Sequence, residues 1–230
     1  MIYKAMLSTG IEGLDSIIGG GIPEGHTVVV YGSYGTGKTT FGLHFIYEGL
    51  KNNEKSVFIS LDEDEDSILE SAKSFGMDLE PFNDKLEIIR LDVVMVKESL
   101  EKVTNELLNV FKRMNVRRIV IDSLSILESL FDEKERWLAI SSLRDIIKQS
   151  GATAILTSES DKSGESTKYG IMEYMSDGAI NLKIIRKHPL EEPVLALEVV
   201  KMRRIRHSRK PVPYMITDRG ITVMEGAEIF

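Results

Sequence analysis

The feature that most constrains this chain is the run Gly32-Ser33-Tyr34-Gly35-Thr36-Gly37-Lys38-Thr39, which follows the apolar stretch Thr27-Val-Val-Val-Tyr31. It fits the G-x-x-x-x-G-K-[ST] pattern of a Walker A loop, and it stands where such a loop must, after a buried strand and before a helix. Glycines let the backbone curl until successive N–H groups point at phosphate oxygens. The helix that continues through Thr40, Phe41, Leu43, Phe45, Ile46 and Leu50 adds the positive end of its dipole. Residues Gly32 to Thr40 are therefore expected to hold the phosphates of ATP. Lys38 would reach the β- and γ-phosphates, and the Thr39 hydroxyl would be a ligand of Mg²⁺.

Short β-branched runs alternate with amphipathic stretches along the rest of the chain. Strands are predicted at 56–61, 86–91, 118–122 and 153–157, and helices near 65–75, 97–114 and 133–149. Alternating β and α units imply a mostly parallel central sheet flanked by helices, an α/β fold. The last third differs. Stretches 179–186, 194–201, 213–217 and 220–224 read as consecutive strands with turns between them, a meander or antiparallel edge that finishes the sheet. With 230 residues and no linker or repeat, one domain over 1–230 is expected, its β-rich part spanning 178–224.

Composition narrows the setting. Cysteine is absent, which excludes disulfide and thiolate–metal chemistry, and the four histidines are scattered. No apolar run approaches the roughly 20 residues of a membrane helix, and the N-terminus lacks the pattern of a secretory signal. A cytoplasmic protein with no membrane partner is expected. The net charge of −7 argues against bulk, sequence-blind affinity for nucleic acid.

A Mg²⁺ site needs a carboxylate at the end of a neighbouring strand, and Val116-Arg-Arg-Ile-Val-Ile-Asp122 supplies one in the manner of a Walker B element. The bland alternative is that Asp122 caps the following helix, a task open also to Ser123 or Ser125. The strand 57–61 runs into five acids, Asp62 to Asp66. In a parallel sheet functional groups gather beyond the carboxyl ends of strands, so Asp62 and Glu63 should emerge beside the phosphate loop, where a carboxylate can orient water and accept its proton. Asp64, Glu65 and Asp66 suit the first turn of the next helix.

The segment from Ser8 to Gly25, STGIEGLDSIIGGGIPEG, resembles the opening segment of KaiC-type ATPases of the RecA superfamily. The likeness continues through the phosphate loop, Phe58 to Glu63, Ser74-Phe-Gly-Met-Asp78-Leu79, Thr157-Ser-Glu159, Tyr174-Met-Ser-Asp177-Gly178 and Lys201-Met-Arg203-Arg-Ile-Arg-His207. It implies that Asp62 and Glu63 act in hydrolysis. The first of these is usually Glu in the family, so the shorter Asp leaves open which is the base. It implies that Lys201 and Arg203 contact the γ-phosphate held by a neighbouring subunit, and that His207 matches a histidine at the same spacing. Ser158 and Glu159 fall where the superfamily reads the γ-phosphate state. The two-domain member for which this family is named carries, in its second domain, adjacent Ser and Thr that receive phosphate; Glu173 and Tyr174 stand there instead, which the resemblance takes to imply no autokinase activity. A ring-like homo-oligomer, a hexamer in the family, is implied as the partner.

The basic cluster Lys201, Arg203, Arg204, Arg206, Arg209 and Lys210 admits other readings. On a strand Lys201 and Arg203 would share one face and Arg204 and Arg206 the other. The second pair would suit a solvated edge or a DNA backbone. Two classes of function follow: a ring ATPase that signals to an unidentified protein partner, or a RecA-type DNA-dependent ATPase. The acidic balance favours the first.

Overall fold

The structure, a computed structural model that describes residues 5–186, 188, 191–227 and 229, opens with β1 (Met6–Leu7), α1 (Leu14–Ile17) and β2 (Ile22–Pro23). Then come β3 (Thr27–Gly32), α2 (Lys38–Lys51), β4 (Ser56–Ser60), α3 (Glu65–Ser74) and β5 (Leu86–Arg90). The middle of the chain forms α4 (Val93–Glu98), α5 (Leu100–Met114), β6 (Arg118–Asp122), α6 (Leu124–Leu130), α7 (Glu133–Ser150) and β7 (Thr153–Glu159). After α8 (Met172–Met175) the chain finishes in β8 (Gly178–Ile185), β9 (Val194–Met202), β10 (Val212–Thr217) and β11 (Gly220–Val223).

Nine strands form one sheet in the order β11-β10-β9-β8-β3-β7-β6-β4-β5. The pairings from β8 to β5 are parallel, and β9, β10 and β11 add on antiparallel. The β-rich end therefore extends the sheet as expected, but its first strand joins β3 in parallel before the direction reverses. Strand β3 is buried along its whole length because helices cover both faces. Its alternate residues serve two cores: Val28 and Val30 pack with Phe41, Phe45 and Val120, while Val29 and Tyr31 pack with Ile121, Leu143 and Ile147.

One predicted helix is two. Asp92 caps α4 by accepting from Val94 N at 2.8 Å, and Ser99, at φ −150°, separates α4 from α5. The β-branched residues Val93, Val94 and Val96 mask a helix that the cap alone announces. The four-residue helices α1 and α8 are too short to show a period. Among the described residues no helix is long and apolar enough to cross a membrane.

His44, in α2, ties the antiparallel end to the sheet's helical cover: Ile221 N donates to its Nε2 at 2.9 Å. Burial drives this imidazole down to about 4, against about 6.5 in an exposed chain. Between those values the unfolded chain binds a proton that the folded one does not. The contribution is therefore complete above about pH 6.5 and lost as pH falls to about 4. Urea unfolding at stepped pH should show this loss of about 3 kcal/mol as the difference between wild type and His44→Gln across that window, since raised carboxyls such as Glu128 act in the opposite sense. His44→Gln, whose amide oxygen can accept the same N–H, should remove that slope; an unchanged slope would show that other groups cause it.

Candidate functional site

The phosphate loop leaves β3 at Gly32 and enters α2 at Lys38. A side chain at Gly32 would meet Leu182 O at 2.3 Å and Thr36 Oγ1 at 2.8 Å, and Gly37, the residue before the helix, has φ +85°. Only glycine meets both demands cheaply. Thr36 is buried and its hydroxyl donates to Ser33 O at 2.8 Å, while the Tyr214 hydroxyl donates to Thr36 O at 2.6 Å. Tyr34 and Gly35 form the exposed tip, and Thr40 is buried in the first turn of α2. The loop is thus braced from inside and open at its crest. Lys38 Nζ donates to Gly32 O at 2.9 Å and Ser33 O at 2.8 Å, so the ammonium lies across the mouth of the loop. Burial lowers its pKa, and the charges of Asp122 and Glu159 act against that.

Thr39 and Asp122 meet directly. The Thr39 hydroxyl donates to Asp122 Oδ2 at 2.7 Å, and the Thr157 hydroxyl donates to the other carboxylate oxygen. Asp122 is 5% exposed, and burial raises its pKa despite those two bonds. It does not cap α6, for Ser123 holds that position and makes no side-chain capping bond. A hydroxyl and a buried carboxylate, both hard oxygen donors beside a phosphate loop, fit Mg²⁺, which takes one or two protein oxygens together with phosphates. The segment Thr157-Ser-Glu159 by itself gives Thr157 no role. A Thr at the end of an apolar strand is common, and only the parallel pairing of β6 with β7 brings it to Asp122.

Ser60, the last residue of β4, pairs with Asp122, so the acids that follow emerge on the same rim. The Ser60 hydroxyl and Asp62 Oδ1 both accept from Glu63 N, at 2.9 and 3.0 Å. Asp62 is exposed and Glu63 half-buried. Burial raises the Glu63 pKa, and the charges of Asp62, Asp122 and Asp64 raise it further. Asp64 caps α3 by accepting from Ser67 N at 3.0 Å, with Glu65 and Asp66 in the first turn, as their sequence position suggests.

Strand β7 brings Ser158 and Glu159 level with Tyr31 and Gly32. Ser158 is fully buried, whereas Glu159 is exposed and paired with Lys168 at 2.8 Å.

Lys201, Arg203 and His207 lie elsewhere. Lys201 is level with Val29, two strands away through Ala179, which puts it about 14 Å from Gly32 and toward the opposite end of β3. Its ammonium donates to Glu173 O, and Arg203 approaches Asp177 at 3.5 Å. His207 Nδ1 is 2.9 Å from Ser208 O, in a segment held to α1 by Ser208 N donating to Ile17 O. The alternation expected for 201–206 does not hold. β9 ends at Met202, paired with Gly178 at the start of β8; one further bond, from Arg203 N to Asp177 O at 2.9 Å, precedes the turn at Arg204, whose φ is +70°.

A family model described as "ATPase: KaiC" matches residues 7–228. The circadian clock oscillator protein KaiC of Synechococcus elongatus is 32% identical over 234 residues, covering 95% of this chain and 44% of that protein. The circadian clock protein KaiC2 of Synechocystis sp. is 32% identical over 230 residues, covering 94% of this chain and 39% of that protein. The chain thus spans less than half the length of these curated relatives. The crystal structure of KaiC-like protein PH0186 from Pyrococcus horikoshii OT3 superposes with a TM-score of 0.86 at 34% identity, covering 96% of this chain and 99% of that one. With the phosphate loop, the mostly parallel sheet and this match over nearly its whole length, the chain belongs to the KaiC family of ATPases, of the RecA-like fold.

Proposed function

We propose that the chain binds MgATP on residues Gly32 to Thr40 and hydrolyses it slowly, at sites completed by a neighbouring copy in a ring-like homo-oligomer. The observation that carries this reading is the 2.7 Å bond between Thr39 and Asp122 beside the Lys38 loop, with Asp62 and Glu63 on the same rim. Loop N–H groups and the N-terminus of α2 receive the phosphates, and Lys38 exchanges its two carbonyl partners for phosphate oxygens. Thr39 and Asp122 would hold Mg²⁺, which when bound would supply neutralisation of phosphate charge. Glu63, its pKa raised, orients the attacking water and takes its proton, and Asp62 fixes the Glu63 backbone. Ser158 and Glu159, level with Tyr31 and Gly32, serve to read the γ-phosphate state.

Lys201, Arg203 and His207 then serve the neighbour's site. Lys201 is too far from its own loop, and a head-to-tail contact that brings one rim against the other closes into a ring. The ring is a hexamer, as the resemblance implies. No autokinase activity is proposed: Glu173 is engaged by Thr167 Oγ1 at 2.6 Å, and no Ser–Thr pair precedes Asp177. A cytoplasmic protein partner receives the conformational signal.

Equilibrium binding of ATP with and without Mg²⁺, followed by turnover with and without single-stranded DNA, tests the reading. Tight Mg²⁺-dependent binding and DNA-independent turnover are expected. A tenfold rise with DNA, about 1.4 kcal/mol of barrier, would transfer the chain to the DNA-dependent class. Absence of binding to any triphosphate would end the proposal.

A further inference from the structure

Glu128, in α6, is a carboxylate that the phosphate loop and its acids leave unexplained. It is fully buried, and its Oε1 has no hydrogen-bond partner. Its Oε2 is 3.4 Å from Ser158 Oγ, and that hydroxyl has a second acceptor, Glu159 O, at 3.3 Å. Ser158 Oγ also lies 3.1 Å from Ser125 Oγ, which accepts from Glu159 N at 2.6 Å. The next residue, Ser160, donates its N–H to Gly32 O at 3.2 Å, the same carbonyl that receives Lys38. A continuous polar path thus runs from a buried acid to the first carbonyl of the phosphate loop.

We propose that Glu128 is a positioning residue for that loop, selecting through Ser158 and Ser125 how the Glu159–Ser160 backbone holds Gly32. The selection follows from proton inventory. An ionised Glu128 only accepts, so the Ser158 hydroxyl turns toward it and Ser125 donates to Ser158. A neutral Glu128 donates to Ser158 Oγ, which frees the Ser158 proton for Glu159 O. The two acceptors are nearly equidistant from Ser158, so the charge on Glu128 decides between them. Burial pushes Glu128 up to about 7, against the Ser158 hydroxyl and the charges of Arg136 and Lys168, while the Glu173 charge raises it. Arg136, on α7, does not neutralise the carboxylate directly: its Nε donates to the Glu128 backbone carbonyl at 2.9 Å.

The inference rests on the MgATP reading, and it has a sign. A triphosphate on the loop adds negative charge near the path and favours neutral Glu128. By reciprocity neutral Glu128 must favour the triphosphate. The test is calorimetric binding of a non-hydrolysable ATP analogue with Mg²⁺ about one pH unit below and above the Glu128 value. Wild type should bind at least about threefold tighter at the lower pH. Glu128→Gln, neutral at both, should hold the tighter affinity throughout, and Ser125→Ala should shrink the pH effect. The ¹³C-carboxyl resonance assigned to Glu128 in wild type should titrate near neutrality with a midpoint that rises when the analogue binds, a readout that stands even if a variant fails to fold. Binding with no such midpoint shift, or an equal pH effect in Glu128→Gln or Ser125→Ala, overturns the proposal and leaves the ATPase reading intact. No binding by wild type overturns both.

Discussion

Converting Asp62 and Glu63 together to Asn and Gln is expected to slow ATP turnover by about two to four orders of magnitude, the usual worth of a positioned general base. Affinity for MgATP should stay within about threefold, because neither acid is needed to hold phosphate or Mg²⁺. The isosteric amides keep the chain's shape while removing the carboxylate proposed to take the proton. The single variants should divide unequally. Glu63 is half-buried and its pKa is raised, first by burial and then by Asp62, Asp122 and Asp64, which makes it the better base near neutrality. Asp62 is exposed and accepts from Glu63 N, a supporting position. Glu63→Gln alone should therefore account for most of the loss. Single-turnover rates beside equilibrium binding would decide it: turnover within about tenfold of wild type in the double variant would remove both acids from the chemistry. Their removal also subtracts like charge from beside Asp122, so any change in affinity should be toward tighter binding.

Local chemistry made the phosphate-loop rim readable, and distance hid the rest. The loop announces itself because curled backbone needs glycines at fixed spacing, and Gly32 and Gly37 are positions that a side chain would spoil. Asp122 is legible because a buried apolar strand ending in an acid is rare without a cation or a proton to balance it. The contacts of Thr157, Ser125 and Glu128 were not legible. Each is an ordinary residue in an ordinary segment, and its partner is 35, 34 or 30 residues away in sequence. Only the order β3-β7-β6-β4 makes neighbours of them. The turn at Arg204 is hidden in the sequence for a related reason. Alternating basic residues look like a strand, but a strand lasts only as long as its ladder partner, and β8 begins at Gly178.

The proposed trans arrangement yields the largest predicted effect. Arg203→Ala, with its own phosphate loop intact, should lose about three to five orders of magnitude in turnover if Arg203 acts as an arginine finger. Lys38→Ala should likewise be inactive, its loop disabled and its finger intact. Each alone fails, for different reasons. If each site takes its loop from one copy and its finger from the next, random co-assembly of equal amounts pairs an intact loop with an intact finger at about one quarter of the sites. A one-to-one mixture, dissociated and reassembled, should therefore recover about a quarter of wild-type turnover per site. Were the finger to act within its own copy, every site would still lack one part and the mixture would stay dead. The geometry already opposes that second case. Lys201 lies about 14 Å from Gly32 by strand spacing, farther than a lysine side chain reaches, and Arg203 is one residue beyond the end of β9 on the same side. Reaching its own phosphates would require breaking the β8–β9 pairing at Gly178 and Met202, where the strand is buried. Recovery in the mixture therefore reports assembly and finger in one measurement, and its absence despite confirmed co-assembly would confine the catalytic machinery to the loop rim of a single chain.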